Sequence, residues 1–495
     1  MRVIQQNFRP ALAALLGAIL SLSATIAPGQ SADPESWRKS PPRSGPARPL
    51  RLPATREVKL ENGLALVLIE DRRAPIVTLS VGLPLASLPF GSENYISRQI
   101  ALADATAALL TEGAAGRTGE QIARDVETLG GRIWSTANEQ YAEVGASFIA
   151  ESAGQMIETF ADVLVRPTFP QSEVALYKKN RIQELRVERQ DPAFLVSEHF
   201  NRIIYGPHPY GITAPSTAAI TAIGRPALLA FHKAHYTPDR AVAVVVGDFD
   251  SARMESQLSA ALGRWKKTLD PRARPVNKAP AARRDRRIYL IDRPDSEQAT
   301  FRIGGLAVER SHPDFYPLLV ANAVLGAGTG SRLFLNVREK KGYAYDVFST
   351  MSALKVAGTF FAGADTRNEV TAAAVKEILG ELDRLSRQPV GPDEIENAKS
   401  FLTGNFSLSL STQTSLAERI VASRMLGLGG DYLESHRSRV EAVTAEQVLA
   451  AARKYASGEH AAIVVVGDAA RLKPELSKIA PVIVIGARAA RRRAA

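Results

Sequence analysis

The sequence predicts an α+β protein made of two homologous halves, each a mixed or antiparallel sheet covered by helices. The pentapeptide Val-Val-Val-Gly-Asp stands at residues 244–248 and again at 464–468. Each copy follows a predicted helix that ends in His-Tyr or Lys-Tyr and precedes another predicted helix, so the context is duplicated too. Strands and helices do not alternate strictly, which favours mixed sheets over a doubly wound parallel sheet. A chain of 495 residues is also too long for one hydrophobic core.

The first half opens with a predicted hairpin over residues 58–69, because Asn62-Gly63 between two apolar runs favours a tight turn. Thr118, followed three residues later by Gln121, is typical of a helix start, and that helix is predicted to end at Gly130-Gly131. The other predicted elements of this half are strands at 76–83, 133–135, 141–149 and 241–248, and helices at 99–113, 153–164, 173–190, 226–235 and 250–263.

The second half repeats this order. Its predicted strands are 287–291, 298–305, 345–352, 358–364 and 461–468, and its predicted helices are 316–325, a segment around 333–339, 369–386 and 392–404. We therefore predict one domain over residues 56–264 and a second over 287–472. The Pro-, Ala- and Arg-rich residues 265–286 link them, and residues 473–495 form a basic tail.

The N-terminus has the features of an export signal, assigned to residues 1–32. Arg2 and Arg9 precede an apolar segment at residues 11–26, and small residues follow. Sixteen residues are short for a membrane span, so no stable membrane insertion is expected after signal removal. Cleavage after Ala24, Ala27 or Ala32 stays open. Residues 33–55, rich in Pro, Ser and Arg, are predicted to be an extended lead-in.

Composition excludes several function classes. The chain has no cysteine, which rules out disulfides, thiolate catalysis and Cys-ligated zinc. Its net charge of +11 raises the alternative of nucleic-acid binding. The basic residues cluster in the predicted linker and in the Arg491-Arg492-Arg493 tail, without interleaved aromatic residues for base stacking. We interpret them as solvated segments and expect no nucleic-acid partner.

The helix predicted over residues 99–113 is rich in Ala, Leu and Ile, contains no Pro, and has Gly113 where a helix would stop. Its context resembles the helix that carries the inverted zinc motif H-x-x-E-H in the pitrilysin-type metallopeptidases (inverzincins), such as insulysin and mitochondrial processing peptidase. With residues 109–113 laid on the run after that motif, Asp104, Ala107 and Ala108 replace the first His, the Glu and the second His.

This replacement removes the chemistry of the motif. Two imidazoles one turn apart bind Zn²⁺, and the Glu between them acts as general base to the metal-bound water. Alanine can neither bind a metal nor accept a proton. The sequence therefore predicts no metal site in this chain, although Glu184 occupies the place where the resemblance implies a third zinc ligand. An ordinary helix-surface role for Glu184 is the alternative, and it is the one favoured.

Two other motifs have competing interpretations. His232 and His235 are spaced to share a metal, but no acidic residue stands beside them, which favours a structural role. The Gly-rich residues 326–330 resemble a phosphate loop, yet they lack Gly-Lys-Ser/Thr and follow a helix, which argues against nucleotide binding. They are similar instead to the family's glycine-rich turn before Ser331-Arg332-Leu333.

That turn leads to Arg338 and Tyr345, seven residues apart. The resemblance implies that such an Arg and Tyr reach across to the substrate at a zinc site, where a guanidinium and a phenol can stabilise charge on a peptide carbonyl. A surface Arg and a strand Tyr without that role are the alternative. The resemblance also makes Ile133, Trp134 and Ser135 candidates for peptide binding.

The resemblance spans roughly residues 56–470. It implies a hinged shell of two halves, without a cofactor of its own, that pairs as a heterodimer with a zinc-bearing homologue. The export signal predicts that the mature chain is in the periplasm. The pair would enclose a peptide or small protein, with Arg338 and Tyr345 supplied in trans. The alternatives are a catalytically silent scaffold or assembly protein with the same fold, and a self-sufficient hydrolase, for which no nucleophile–base pair is recognisable.

Overall fold

The computed structural model of the protein describes residues 52–85, 91–267, 279–281 and 285–486. The predicted export signal, most of the lead-in, most of the linker and the Arg491-Arg492-Arg493 tail lie outside these residues. The described chain contains two six-stranded mixed sheets with helices on their faces, which confirms the predicted α+β class.

The first sheet belongs to the N-terminal half. Its strands are β1 (Thr55–Lys59), β2 (Ala65–Glu70), β3 (Ile76–Pro84), β6 (Arg132–Ala137), β7 (Tyr141–Ile149) and β8 (Val242–Gly247), and a small ribbon is formed by β4 (Gly113–Ala114) and β5 (Arg117–Thr118). The order in the sheet is β1-β2-β8-β3-β7-β6. The β2–β8 pair is parallel and the other pairs are antiparallel.

Eight α-helices accompany this sheet among the described residues. They are α1 (Glu93–Ala108), α2 (Gly119–Thr128), α3 (Ala153–Val165), α4 (Gln171–Glu188), α5 (Pro192–Tyr205), α6 (Thr217–Thr221), α7 (Arg225–His235) and α8 (Ser251–Leu262). The predicted capping box is present at the start of α2, where the side chains and backbone N–H groups of Thr118 and Gln121 bond reciprocally.

The second sheet belongs to the C-terminal half. Its strands are β9 (Arg287–Asp292), β10 (Gln298–Ala307), β11 (Ala344–Ala353), β12 (Gly358–Arg367), β13 (Ala462–Gly467) and β14 (Val482–Ile485), in the order β11-β12-β10-β13-β9-β14. Its helices are α9 (Phe315–Gly326), a π-helix (Phe334–Lys340), α10 (Asn368–Arg387), α11 (Pro392–Leu408), α12 (Gln413–Met425), α13 (Tyr432–Glu441), α14 (Ala445–Tyr455) and α15 (Ala469–Leu476).

The two copies of Val-Val-Val-Gly-Asp occupy equivalent places in the two sheets. The first copy runs through β8, which pairs parallel with β2 and antiparallel with β3. The second runs through β13, which pairs parallel with β9 and antiparallel with β10. Both strands are central in their sheets, and consecutive Val side chains, which point to opposite faces, are all buried, so both faces of each strand are covered; this explains the uninterrupted Val run. The duplication predicted from the sequence is therefore present in the fold.

Each half lends one helix to the other half's sheet. On α5, Val196, Phe200 and Ile204 form a buried cluster with residues of the second sheet, and the Phe200 and Phe361 rings lie 5.2 Å apart. Helix α12 packs on β3 and β8 of the first sheet. Gly82 of β3 makes this approach possible, because a Cβ there would lie 2.5 Å from Val421. The exchange joins the halves through buried apolar surface.

Several predicted boundaries were wrong. The helix predicted over 99–113 spans Glu93–Ala108, and Gly113 begins β4 instead of ending a helix. A Cβ at Gly113 would lie 2.6 Å from the Thr168 hydroxyl oxygen, so glycine is required there for close packing. The fold also continues past residue 472, because β14 pairs with β9. The α5, α6, α12 and α13 helices were not predicted.

Candidate functional site

Asp104, Ala107 and Ala108 lie in the last turn and a half of α1. Ala107 is buried, Ala108 is exposed and Asp104 is half-buried. Burial raises the pKa of the Asp104 carboxyl to about 6, against the opposing effect of the Arg181 charge and with a smaller contribution from Glu139. The helix thus presents one carboxyl group of shifted pKa where a metal-binding helix would present two imidazoles and a general base.

A guanidinium from α4 faces this position. Arg181 interacts electrostatically with Asp104 and lies 3.5 Å from a carboxylate oxygen of Glu184. It also donates two hydrogen bonds to Glu188, of 2.8 and 3.2 Å. Arg181, Glu184 and Glu188 are spaced three and four residues apart, so they share one face of the helix. A fixed positive charge therefore interacts with both carboxylates that stand at metal-ligand positions.

These residues do not fit zinc. A catalytic zinc needs three protein ligands and an open position, and the only carboxylate retained at a ligand position, Glu184, pairs with Arg181 and is 62% exposed. No group of three or more His, Asp or Glu side chains within metal-binding reach occurs in the part of the chain that the structure describes. Zinc binding at this helix would require the return of both imidazoles, and the positive charge of Arg181 opposes it.

The structure accounts for the two histidines with metal-like spacing. His232 is buried, its Nε2 donates to the Leu164 carbonyl oxygen at 2.9 Å, and its ring stacks on Tyr236. Burial lowers the pKa of His232 to about 4, so it is neutral at physiological pH. His235 stacks instead on Phe231, with 4.0 Å between ring centroids. Both side chains serve packing, as predicted.

Arg338 and Tyr345 are brought together by the second half. The Cζ atom of Arg338 lies 5.0 Å from the centroid of the Tyr345 ring and 4.7 Å from that of Phe334. The Tyr345 side chain is 84% exposed, an unusual exposure for an aromatic residue on a strand. The pair thus presents a guanidinium and a phenol side by side on the surface.

Local backbone irregularities set the position of this pair. Arg338 stands in a π-helix, a rare conformation that is frequent at functional sites. Tyr345 stands at an irregularity in the β11–β12 pairing, between Ala344 and Val347. A bulge of this kind turns a side chain away from the regular alternation of a strand. The sequence predicted the spacing of the pair but neither irregularity.

Ion pairs anchor the segment that carries Arg338. Arg332, in the predicted Ser-Arg-Leu turn, is buried and donates two hydrogen bonds to Glu394, of 2.6 and 2.8 Å. At the other end, Lys341 pairs with Glu377 at 3.1 Å. Buried bidentate pairs fix geometry more firmly than surface pairs do. The glycine-rich residues before Arg332 therefore lead into a segment that is held near both ends by ion pairs.

Ile133, Trp134 and Ser135 lie on β6, the last strand at one side of the first sheet. All three side chains are half-buried, and the Trp134 ring covers Gly145, where a Cβ would lie 2.3 Å from it. Among the described strands only β7 pairs with β6, so β6 is an edge strand of the sheet. In the described part of the chain, no hydrogen bond, ion pair or ring contact joins these residues to Arg338 or Tyr345.

Two cavities were not predicted from the sequence. One, of about 520 Å³, lies between the first sheet and α12 and is lined by Trp134, Glu143, Glu418 and Arg419. The other, of about 400 Å³, lies between helices of the second half around Arg310, Tyr432 and His436. Their lining residues are scattered along the chain and carry no motif, so no spacing signal could have revealed them.

Comparison with known proteins places this architecture among the peptidases. A family description, "Peptidase M16 inactive domain", matches residues 222–402. The uncharacterized zinc protease YmxG of Bacillus subtilis is 23% identical over 81% of this chain and 95% of its own length. An uncharacterized zinc protease of Mycobacterium tuberculosis is 26% identical over 86% of this chain and 95% of its own length.

Solved structures give the same result. The peptidase M16 inactive domain from Pseudomonas fluorescens superposes with a TM-score of 0.77 at 25% identity, covering 84% of this chain and 98% of that one. A protease from Helicobacter pylori superposes with a TM-score of 0.75 at 17% identity, over 84% of this chain and all of that one. The second likeness concerns the fold alone.

The fold and the site together define a metallopeptidase architecture from which the zinc ligands are missing. Residues 222–402, the end of the first half and the start of the second, match the M16 peptidase inactive domain, and the whole described fold is similar to that of a solved M16 inactive-domain protein. No helix in the described residues is both long and apolar enough to cross a membrane.

Proposed function

We propose that this chain is the non-catalytic subunit of a heteromeric M16-type peptidase. It pairs with a homologue that carries H-x-x-E-H and holds zinc, and the two subunits together enclose a peptide or small protein. In this assembly the chain supplies Arg338 and Tyr345 to the active site of the zinc-bearing subunit. Its place of action is the periplasm, which the signal-like residues 1–32 support.

The observation that carries this proposal is the stacked Arg338–Tyr345 pair. An exposed tyrosine against a guanidinium contributes little to the stability of the chain, because most of the ring stays in water. A position next to a π-helix and at a strand irregularity indicates that the backbone is shaped around the pair. Surface packing alone would not require either feature.

The chemistry of the pair suits a peptide substrate. A phenol O–H and guanidinium N–H groups can both donate hydrogen bonds to a peptide carbonyl oxygen. Such bonds strengthen as negative charge develops on that oxygen during attack by water. Arg338 forms one ion pair, with Glu339 at 3.7 Å from Nε, but its guanidinium donates no hydrogen bond within the described residues, so its N–H groups remain available for this role. The chain thus offers electrostatic stabilisation without the metal or the general base.

The rest of the chain supports a passive role in the chemistry. Arg181 and the replaced residues of α1 are incompatible with zinc, so hydrolysis must depend on another subunit. The outer edge of β6, with Ile133, Trp134 and Ser135, can bind part of an extended peptide by strand addition. Peptide binding and carbonyl stabilisation are the contributions that remain.

Co-expression with the H-x-x-E-H homologue of the same organism tests the pairing. We expect the two chains to elute together with equal stoichiometry in size-exclusion chromatography with light scattering. The pair should hydrolyse unstructured peptides, and neither chain alone should do so. A zinc-bearing homologue that reaches the same turnover without this chain would refute the proposal.

A further inference from the structure

The cavity of about 400 Å³ in the second half lies among helices α11, α12 and α13, and Ala353 at the end of β11 contributes to its wall. Tyr345 is at the other end of that strand, so the two places are about 26 Å apart at roughly 3.3 Å per residue. Much of the lining is aliphatic, with Leu319, Leu402, Leu426 and Leu433 among the residues involved. The cavity is thus separate from the Arg338–Tyr345 pair.

Arg310 brings a positive charge to this cavity. Its guanidinium packs on the Phe315 ring, with 4.1 Å between Cζ and the ring centroid, and Nη2 donates a hydrogen bond to the Tyr432 hydroxyl. Its Nε is shielded from solvent and has no hydrogen-bond partner in the described part of the chain. No described carboxylate lies within ion-pair distance of Arg310.

Arg419 adds a second guanidinium to the lining, and it too forms no ion pair with any described residue. Arg439 stands nearby, over the Tyr316 ring, and pairs with Asp431 at 3.6 Å. The other carboxylates close to Arg419 are Glu418 and Glu143, which line the adjoining cavity. The positive charge of this cavity is therefore not balanced from within its own walls.

His436 completes the polar side of the cavity. Its ring stacks on Phe406 with 3.9 Å between centroids, and Nδ1 lies 3.4 Å from the Tyr316 hydroxyl. Burial, and then the charges of Arg310, Arg419 and Arg439, lower the pKa of His436 to about 4. The imidazole is thus neutral at physiological pH and can donate one hydrogen bond.

We propose that this cavity binds a carboxylate attached to an aliphatic body, with the carboxylate held by Arg310 and Arg419 and the body lying against the leucine side chains. Two guanidiniums without carboxylate partners favour an anionic group on the ligand, and the aliphatic lining favours an apolar body. The C-terminus of a peptide that ends in an aliphatic residue and a short fatty acid share this chemistry. The inference does not depend on the proposed subunit pairing.

Isothermal titration calorimetry on the full chain tests the proposal with N-acetyl-leucine and hexanoate as probes. N-acetyl-leucinamide, which has the same body without the charge, is the control ligand. We expect saturable one-to-one binding of at least one carboxylate and none of the amide. If N-acetyl-leucine binds more tightly, the ligand is the C-terminus of a peptide. If hexanoate binds more tightly, the ligand is a fatty acid. Failure of both carboxylates, or equal binding of the amide, would overturn the proposal.

Variants assign the binding to this cavity. Arg419→Gln should weaken carboxylate binding at least tenfold, because it removes one charge-assisted hydrogen bond. This side chain has no described partner, so the fold should tolerate the change. Arg124→Gln, at an exposed arginine paired with Glu120, is the matched control and should bind normally. Unchanged affinity in Arg419→Gln would contradict the assignment.

A second readout follows from His436. A bound carboxylate would offset the three positive charges that lower its pKa, so ligand should raise the pKa of His436 in a histidine-labelled NMR titration. A pKa of His436 that does not change at saturating ligand would place the binding elsewhere on the protein.

Discussion

The guanidinium of Arg338 stacks on the ring of Tyr345, with 5.0 Å between Cζ and the ring centroid. One residue comes from a π-helix and the other from an irregular point in the next strand, so the contact depends on two departures from regular structure. Tyr345 packs mainly against this guanidinium and leaves most of its own surface in water. The pair therefore has the geometry of a preformed donor set aimed outward.

We predict that the purified chain contains no stoichiometric zinc and cleaves no peptide by itself. Ala107 and Ala108 cannot act as base or ligand, and Arg181 brings a positive charge close to Glu184. Elemental analysis after extensive dialysis and a peptide-hydrolysis assay are the measurements. One tightly held zinc per chain would contradict the prediction.

Restoring the motif should not restore metal binding while Arg181 is present. The triple change Asp104→His, Ala107→Glu and Ala108→His supplies both imidazoles, with Glu184 as the third ligand, but the guanidinium near Glu184 repels Zn²⁺. Adding Arg181→Gln should increase zinc affinity at least tenfold, measured by competition with a chelating dye.

The matched control for that experiment is Arg186→Gln in the same triple variant. Arg186 lies on the same helix and contacts Gln183, not Glu184. It should leave zinc affinity unchanged. Equal affinities with and without Arg181 would show that this guanidinium does not exclude the metal.

Asp104→Asn should stabilise the protein at neutral pH. The pKa of Asp104 is raised by burial to about 6 in the folded state, so folding opposes ionisation of this group. The protonated Asp104 carboxyl therefore contributes to the free energy of unfolding. This contribution is fully present below the pKa of the unfolded chain, near 4, and is lost as pH rises through the folded-state pKa of about 6. We expect the variant to gain about 1–3 kcal/mol at pH 7.5 and nothing at pH 3.5.

Chemical denaturation at both pH values measures this difference. Glu120→Gln, at a carboxylate whose side chain is 81% exposed, serves as control and should show no comparable pH dependence. A gain of the same size for Asp104→Asn at pH 3.5 would mean that ionisation is not its cause.

The N-terminal segment gives a prediction that is independent of the folded structure. Residues 11–26 should direct export and be removed, so that the mature chain in the periplasm begins after Ala24, Ala27 or Ala32. N-terminal sequencing of the protein from fractionated cells measures this. Met1 intact on cytosolic protein would show that the segment is not an export signal.

Local signals predicted much of the fold. The Asn62-Gly63 hairpin, the capping box at Thr118 and the duplicated Val-Val-Val-Gly-Asp strands are each set by interactions within a few residues or by a strong apolar run. Helix α5 was not predicted, although Asp191-Pro192 is a good helix start signal. Its apolar face packs on the sheet of the other half, a contact between residues far apart in the sequence. The exchange of helices between halves has no local signature.

The candidate site stays a prediction, and the structure adds its geometry. The family resemblance indicated Arg338 and Tyr345, but a sequence pattern cannot show a π-helix or a strand irregularity that brings their side chains together. Arg181 was missed, although its spacing to Glu184 and Glu188 places all three on one helical face. The spacing shows which residues can meet; only the tertiary structure shows that Asp104 faces the same guanidinium.

The shared-site mechanism is tested most directly by turnover of the reconstituted complex with Tyr345→Phe and Arg338→Ala. Tyr345→Phe keeps the ring on Arg338 and removes only the hydroxyl, so complex formation should be intact while kcat/KM falls by about 10²–10³. Tyr95→Phe, at a tyrosine that is 44% exposed in the first half, is the control. We expect a large loss of turnover in both site variants and none in the control. Full activity of both site variants beside the zinc-bearing subunit would contradict the shared-site mechanism and leave a scaffold role for this chain.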